Sequence, residues 1–253
     1  MARRRRNKRY RRGRFTFLTR LLSFAVICGA IVAALILFFK VESVEITGSE
    51  RYSEEEIFAV TGIEYGENLF LLNKYAIADE ITTRLPYIQS VRFKRNLPNG
   101  IVVEVKEGAA VAAVEQAEDA WLIAADGKLL ERISLGQSDE YLRIIGCELL
   151  LPTAGTYLAM GENSIFGQER LLELLETLGR KNMLPYTEVI DCSDEKNLWI
   201  SYGGRFDVQL LYDADFEKKL YALQLVIETL EDNETGTVIL TAPDRTSFKP
   251  GRK

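Results

Sequence analysis

The 253-residue sequence contains no histidine. Imidazole is the base of Ser-His-Asp and Cys-His nucleophile sites and the commonest protein ligand of metals. The absence of histidine therefore excludes those nucleophile sites and histidine-liganded metal sites. The sequence also lacks Gly-x-Ser-x-Gly, P-loop and Cys-x-x-Cys motifs, which removes the usual hydrolase, nucleotide-binding and thiol-redox signatures. We therefore predict no catalytic, cofactor-binding or metal site, and no cofactor.

Cysteine is also scarce, with only Cys28, Cys147 and Cys192. Cys28 falls within an apolar run, which leaves two thiols that could form one disulfide. Two thiols in a region of this length do not resemble a disulfide-dense secreted scaffold. Buried free cysteines are the favoured interpretation, and a disulfide is the alternative.

Charge is distributed unevenly along the chain. The first twenty residues hold ten Lys or Arg and no Asp or Glu. Residues 41–253 keep 21 of the 32 basic residues against all 37 acidic ones, a net charge of −16. A region with that charge repels polyphosphates, so we predict no nucleic-acid partner for it. The basic arm, residues 1–20, has few aromatic residues that could stack on bases, and membrane topology is sufficient to explain it.

An uncharged apolar run of nineteen residues, 21–39, follows the arm. At about 1.5 Å per residue it would extend roughly 28 Å, close to the hydrocarbon thickness of a bilayer. A cleaved signal peptide is the alternative, but its apolar region is usually about 7–15 residues and precedes a small-residue cleavage site. Here Phe38, Phe39 and Lys40 end the run, which favours an uncleaved transmembrane helix.

The basic arm predicts the orientation of this helix. Lys and Arg residues that flank a span stay on the cytoplasmic side of the membrane. We therefore expect a single-pass protein of the cell membrane with a cytoplasmic N-terminus and an extracytoplasmic bulk.

Residues 41–107 alternate between strand and helix patterns. Val44 and Ile46 suit a first strand, and Ser53 with Glu56 forms a capping box ahead of a helix. Asn73 is the candidate cap of a second helix, which Pro86 closes. The runs IQSVRFKR and IVVEVKE then read as two strands around the turn NLPNG. This β-α-α-β-β order predicts an α+β module in which two helices cover one face of a three-stranded sheet.

The crossing GENLFLL, the hairpin LPYIQSVRFKRNLPNGIVVEVKE and the position directly after a basic-flanked span resemble the POTRA domain of the FtsQ/DivIB bacterial cell-division proteins. Residues 108–253 are similar, more weakly, to the β domain of that family. Short apolar runs around the turn Asp126-Gly127 precede a leucine-rich helix that contains Leu171 and Leu178. Three strands, a second helix after Asp213 and one or two short strands complete a β-rich domain with two helices.

The resemblance implies a non-enzymatic scaffold of the division machinery, located at the division septum. Its implied partners are FtsB/DivIC-like and FtsL-like bitopic proteins and, through them, a septal peptidoglycan synthase. One alternative is a cell-wall hydrolase or accessory enzyme that uses paired carboxylates, such as Asp139-Glu140 or Asp194-Glu195, although turn-like contexts favour solvated surfaces there. A second alternative is a POTRA-type polypeptide-transport factor, which is disfavoured because a single such module and no barrel are recognisable.

The family resemblance also implies where partners bind. Its last strand is the one that pairs with FtsB/DivIC by adding a strand to the sheet. The matching partner-binding residues in this chain are Thr241, Arg245, Thr246, Ser247 and Phe248. A secondary partner surface is predicted on the hairpin, where three basic residues contrast with an acidic background: Arg92, Lys94 and Arg95.

Overall fold

The computed structural model describes residues 12–161, 166–243 and 245–251. Most of the predicted basic arm, residues 1–20, lies outside this range. The first element is a long helix, α1 (Arg12–Phe38). Its stretch Phe17–Phe38 is long and apolar enough to cross a membrane, and none of it is buried against the rest of the protein. This helix is where the sequence predicts the span.

The β-α-α-β-β order is confirmed in the region after α1. It consists of β1 (Ser43–Thr47), α2 (Glu54–Thr61), α3 (Lys74–Arg84), β2 (Ile88–Asn96) and β3 (Gly100–Glu107). The three strands form one sheet in the order β1-β3-β2, with β1 parallel to β3. Sheet order therefore leaves β1 and β2 as the two edge strands.

Local capping explains where the helices of this region begin. The Ser53 hydroxyl accepts the Glu56 amide N–H, and the Glu56 carboxylate accepts the Ser53 amide N–H, which completes the predicted capping box. The Asn73 side chain accepts the N–H of Ala76 at the start of α3. Both caps satisfy N–H groups that a helix cannot satisfy internally.

The chain divides into two compact units. The first comprises the described part of residues 1–77 together with 92–105, and the second comprises residues 78–91 together with the described part of 106–253. The core of the first unit is a buried cluster of Val41, Ile63, Leu69 and Ile101. Phe93 of β2 packs against this cluster.

The second unit contains a nine-stranded sheet within the described residues. Its strands are β4 (Ala110–Gln116), β5 (Asp119–Ala124), β6 (Leu129–Ser134), β7 (Leu142–Ile145), β8 (Thr187–Asp191), β9 (Asn197–Tyr202), β10 (Phe206–Leu211), β11 (Gly236–Ile239) and β12 (Ser247–Pro250). Their order is β12-β11-β10-β9-β8-β7-β4-β5-β6. Three neighbouring pairs are parallel, namely β4 with β7, β7 with β8, and β10 with β11.

Two helices supply apolar faces to the core of the second unit. They are α4 (Gln168–Arg180) and α5 (Phe216–Thr229). The buried residues of α4 include Leu171, Leu174, Leu175 and Leu178, which share the predicted face. The cap of α5 is Asp215, two residues later than the sequence suggests, because the Asp215 carboxylate accepts the N–H of Lys218.

Cys147 and Cys192 are both buried in this core as free thiols. They lie just after the neighbouring strands β7 and β8. Interaction with the Cys147 side chain and burial both raise the pKa of the Cys192 thiol. The two cysteines therefore act as small apolar core residues.

Candidate functional site

The predicted partner-binding residues lie at one edge of the nine-stranded sheet. Strand β12 is the terminal strand at that edge and runs antiparallel to β11. Ser247 and Phe248 lie within β12 and oppose Ile239 and Val238 of β11. The remaining three, Thr241, Arg245 and Thr246, belong to the connection between the two strands.

Main-chain hydrogen bonds reveal which groups of β12 point away from the sheet. The Gly251 N–H donates to the Thr235 carbonyl over 2.7 Å, directly beyond the paired Gly236 and Pro250. Hydrogen-bonded pairs alternate along an antiparallel ladder. The alternation makes Ser247 and Lys249 the residues whose N–H and carbonyl groups bond to β11.

The same alternation turns the N–H and carbonyl of Phe248 toward the open side of β12. The other side of β11 supports this assignment, since Gly236 and Leu240 donate their N–H groups to carbonyls of residues 205 and 209 over 3.1 and 2.9 Å. Pro250 has the same parity as Phe248 but no N–H. Phe248 is therefore the residue of β12 that offers both a donor and an acceptor to an added strand.

The Phe248 side chain points toward its own domain. Its ring lies 6.2 Å from the Phe206 ring, centroid to centroid, in an edge-to-face arrangement, and it packs against the main core cluster. Ser247, Lys249 and Pro250 are exposed. The ring thus holds β12 on the sheet, while the backbone of the same residue faces outward.

A lysine of α5 fixes the connection between β11 and β12. The Lys219 ammonium donates to the carbonyls of Ala242 and Pro243, the latter over 3.1 Å. Thr241 is half-buried beside this anchor, whereas Arg245 is exposed. Sequence reasoning missed Lys219, because nothing in the sequence distinguishes it from its neighbour Lys218, which is exposed and ion-paired with Asp215.

The three basic residues of the predicted secondary surface lie on β2, but the structure does not bring them together. Arg95 is on the face of Phe93, where its Nε donates to the Leu69 carbonyl over 3.2 Å. Lys94 is on the opposite face and forms an ion pair with Glu104 at 2.5 Å. Arg92 is exposed on the Lys94 face and makes no hydrogen bond or ion pair with another described residue.

One residue of each acidic pair, Asp194 and Asp139, makes local contacts that stabilise the fold. The Asp194 carboxylate accepts the Lys196 N–H, the Asn197 side-chain amide and the Trp199 indole N–H over 2.8, 3.1 and 3.3 Å. These bonds, the backbone one first, lower the pKa of Asp194 to about 2, so this carboxylate is ionised and committed to a turn. Asp139 forms an ion pair with Arg143 at 3.3 Å.

Similarity to known proteins is strongest over the β-α-α-β-β region. A family model described as "POTRA domain, FtsQ-type" matches residues 39–107. The cell division protein FtsQ of Corynebacterium glutamicum is 34% identical over 98 residues, which cover 39% of this chain and 44% of that protein. The chain is similar to FtsQ/DivIB cell-division proteins, with an FtsQ-type POTRA domain at residues 39–107. This match to the Corynebacterium protein spans less than half of its length.

Other FtsQ/DivIB relatives extend the similarity into the second unit. The cell division protein DivIB of Clostridium tetani is 24% identical over 185 residues, 72% of this chain and 68% of that protein. FtsQ of Syntrophotalea carbinolica is 25% identical over 198 residues, 77% of this chain and 67% of that protein. The similarity to FtsQ/DivIB proteins therefore extends beyond the POTRA domain, at lower identity.

Proposed function

We propose that this FtsQ/DivIB chain is a non-enzymatic scaffold that binds other bitopic division proteins and helps to position or regulate septal peptidoglycan synthesis. The open edge of β12 carries the proposal. An edge strand with unpaired main-chain groups is a template for an added strand, and compact proteins usually cover or shorten such edges. Here the edge is anchored from behind by the Phe248 ring and by Lys219.

The partner supplies an extended segment to this edge. Its main chain bonds to the outward N–H and carbonyl of Phe248, and the residues before β12 extend the contact toward Thr246 and Arg245. By family resemblance, the segment belongs to an FtsB/DivIC-like protein, with an FtsL-like protein and a septal synthase recruited through it. The exposed Arg245 and Lys249 favour a partner segment that carries acidic residues.

The proposed topology places these parts across the cell membrane. Residues 1–20 lie in the cytoplasm, residues 21–39 cross the membrane, and the POTRA domain at 41–107 and the β domain at 108–253 lie outside. The bias of ten basic residues to no acidic residue before the span supports this orientation. Protease added to intact spheroplasts should digest the region after Lys40 and spare the arm, and the reverse pattern would refute the orientation.

Location in dividing cells tests the scaffold role. A fluorescent fusion to the full chain should form a band at the division site. Uniform labelling of the cell periphery would favour a lateral-wall enzyme or a transport factor instead. The purified full chain should also release no soluble fragments from peptidoglycan, and measurable turnover would overturn the non-enzymatic proposal.

A further inference from the structure

The loop at residues 66–72 is attached to the end of α1. The Asn68 side-chain amide donates to the carbonyls of Leu35 and Ile36 over 2.9 and 3.2 Å. These carbonyls belong to the last turn of α1, where a helix has few internal donors, and the Leu35 carbonyl also accepts the Phe39 N–H over 3.4 Å. The Leu69 N–H also donates to the Phe39 carbonyl over 2.9 Å. The loop therefore has a fixed position at the end of the apolar helix.

The loop divides its apolar side chains between two environments. Leu69 is fully buried, and Leu72 packs against the same core cluster. Phe70 and Leu71 lie between them and are 44% and 74% exposed, while Tyr75 at the start of α3 is 90% exposed. Leu69 and Leu72 thus belong to the core of the first unit, whereas Phe70, Leu71 and Tyr75 are exposed.

The exposed Phe70 continues the apolar surface of α1. The Phe70 ring meets the Phe39 ring edge to face at 5.2 Å between centroids, directly after the helix ends. Exposed aromatic residues at the end of an apolar span are typical of the membrane–water interface, where one part of the ring is in lipid and the other in water.

Two cationic groups flank the same side chains. The Arg95 guanidinium lies 4.9 Å from the centroid of the Phe70 ring. Burial and, to a lesser extent, repulsion by the Arg95 guanidinium lower the pKa of Lys74. Cations next to interfacial aromatic rings complement the phosphates of lipid headgroups.

We propose that Phe70, Leu71 and Tyr75 form a lipid-binding surface that inserts into the headgroup region of the leaflet nearest Phe39. The occupant of this apolar surface is the bilayer, because the surface is continuous with a helix that crosses it. Asn68 acts as the positioning residue that holds the loop at this depth. The inference rests on α1 crossing the membrane.

Fluorescence quenching by brominated lipids tests the inference in the full chain. We would reconstitute Leu71→Trp and Tyr75→Trp variants in vesicles of phosphatidylcholine and phosphatidylglycerol brominated near the headgroup end of the acyl chain. Thr47→Trp is the matched control, since Thr47 is exposed at the far end of β1 from the membrane-proximal residue Ser43. Native Trp121 and Trp199 contribute the same background fluorescence to every variant, and the parent chain measures that background.

Insertion predicts fractional quenching at positions 71 and 75 roughly threefold above that at position 47, because only an interfacial side chain reaches the brominated carbons. Quenching at positions 71 and 75 no greater than in the Thr47→Trp control would overturn the inference. A protein partner would then be the alternative occupant of the surface. Co-flotation of the protein with the vesicles after alkaline carbonate extraction tests separately whether α1 crosses the membrane. Loss of flotation would contradict the crossing by α1 and the surface that depends on it.

Discussion

Phe248 of β12 and Val238 of β11 face each other across the sheet as a pair that exchanges no main-chain hydrogen bonds. The amide of Phe248 is therefore directed to the open edge, while its ring packs on Phe206 in the core. One residue thus combines attachment of the strand with exposure of the groups that an added strand needs.

Ser247 has the opposite parity and gives the first prediction. Its N–H bonds toward Ile239, so Ser247→Pro removes a ladder hydrogen bond that Ser247→Ala retains. We expect Ser247→Pro to lower the free energy of unfolding by about 1 kcal/mol or more relative to Ser247→Ala. Thermal denaturation followed by circular dichroism measures the difference, and identical melting temperatures would show that the deduced parity is wrong.

The turn at Asp194 gives a prediction about pH. Its pKa in the folded protein, about 2, is below the ordinary value of 3.8, so its hydrogen bonds stabilise the fold above that value. This contribution is lost as pH falls from about 3.8 toward 2. Asp194→Asn keeps a side-chain oxygen for the Lys196 N–H but does not titrate.

We therefore expect the melting temperature of the parent to fall more steeply than that of Asp194→Asn when pH is lowered from 5 to 2, because the carboxylate is protonated in this range and the amide is not. Parallel curves would mean that the carboxylate contributes no pH-dependent stability. Each protein's own curve above pH 5 serves as the reference, since Asp194 is fully ionised there.

Among the three basic residues of the secondary surface predicted on β2, Arg92 makes no hydrogen bond or ion pair with another described residue. Arg92→Glu should weaken recruitment of the partner by about two- to fivefold, the range of an exposed charge pair. Arg84→Glu on α3 is the control, because it makes the same charge change at an exposed residue that is not part of β2. Equal recruitment of the parent and both variants, measured by co-purification from cells, would limit this module to a spacer role.

Local features of the fold could be predicted from sequence, because neighbouring residues determine them. The capping box of Ser53 and Glu56 and the cap at Asn73 depend on side chains and amides three residues apart. The turn at Gly203-Gly204 is another such case, since both residues have positive φ between β9 and β10.

Features that depend on distant pairing could not be predicted in this way. The outward direction of the Phe248 amide follows from the register with β11, which no local pattern specifies. The separation of Lys94 and Arg95 follows from strand alternation combined with knowledge of which face Phe93 buries. The contact of Asn68 with the end of α1 joins residues 33 apart, and no local pattern indicates it.

Affinity for the partner shows whether a strand is added at β12. Phe248→Pro and Phe248→Ala both lose the ring contact with Phe206, but only Phe248→Pro loses the outward N–H. We would measure binding of a purified FtsB/DivIC-like ectodomain to each full-length variant in nanodiscs by calorimetry. Strand addition predicts similar melting temperatures for the two variants and an affinity at least about tenfold weaker for Phe248→Pro, because an added strand loses its donor and meets the proline ring. Equal affinities of the Pro and Ala variants would contradict strand addition at β12.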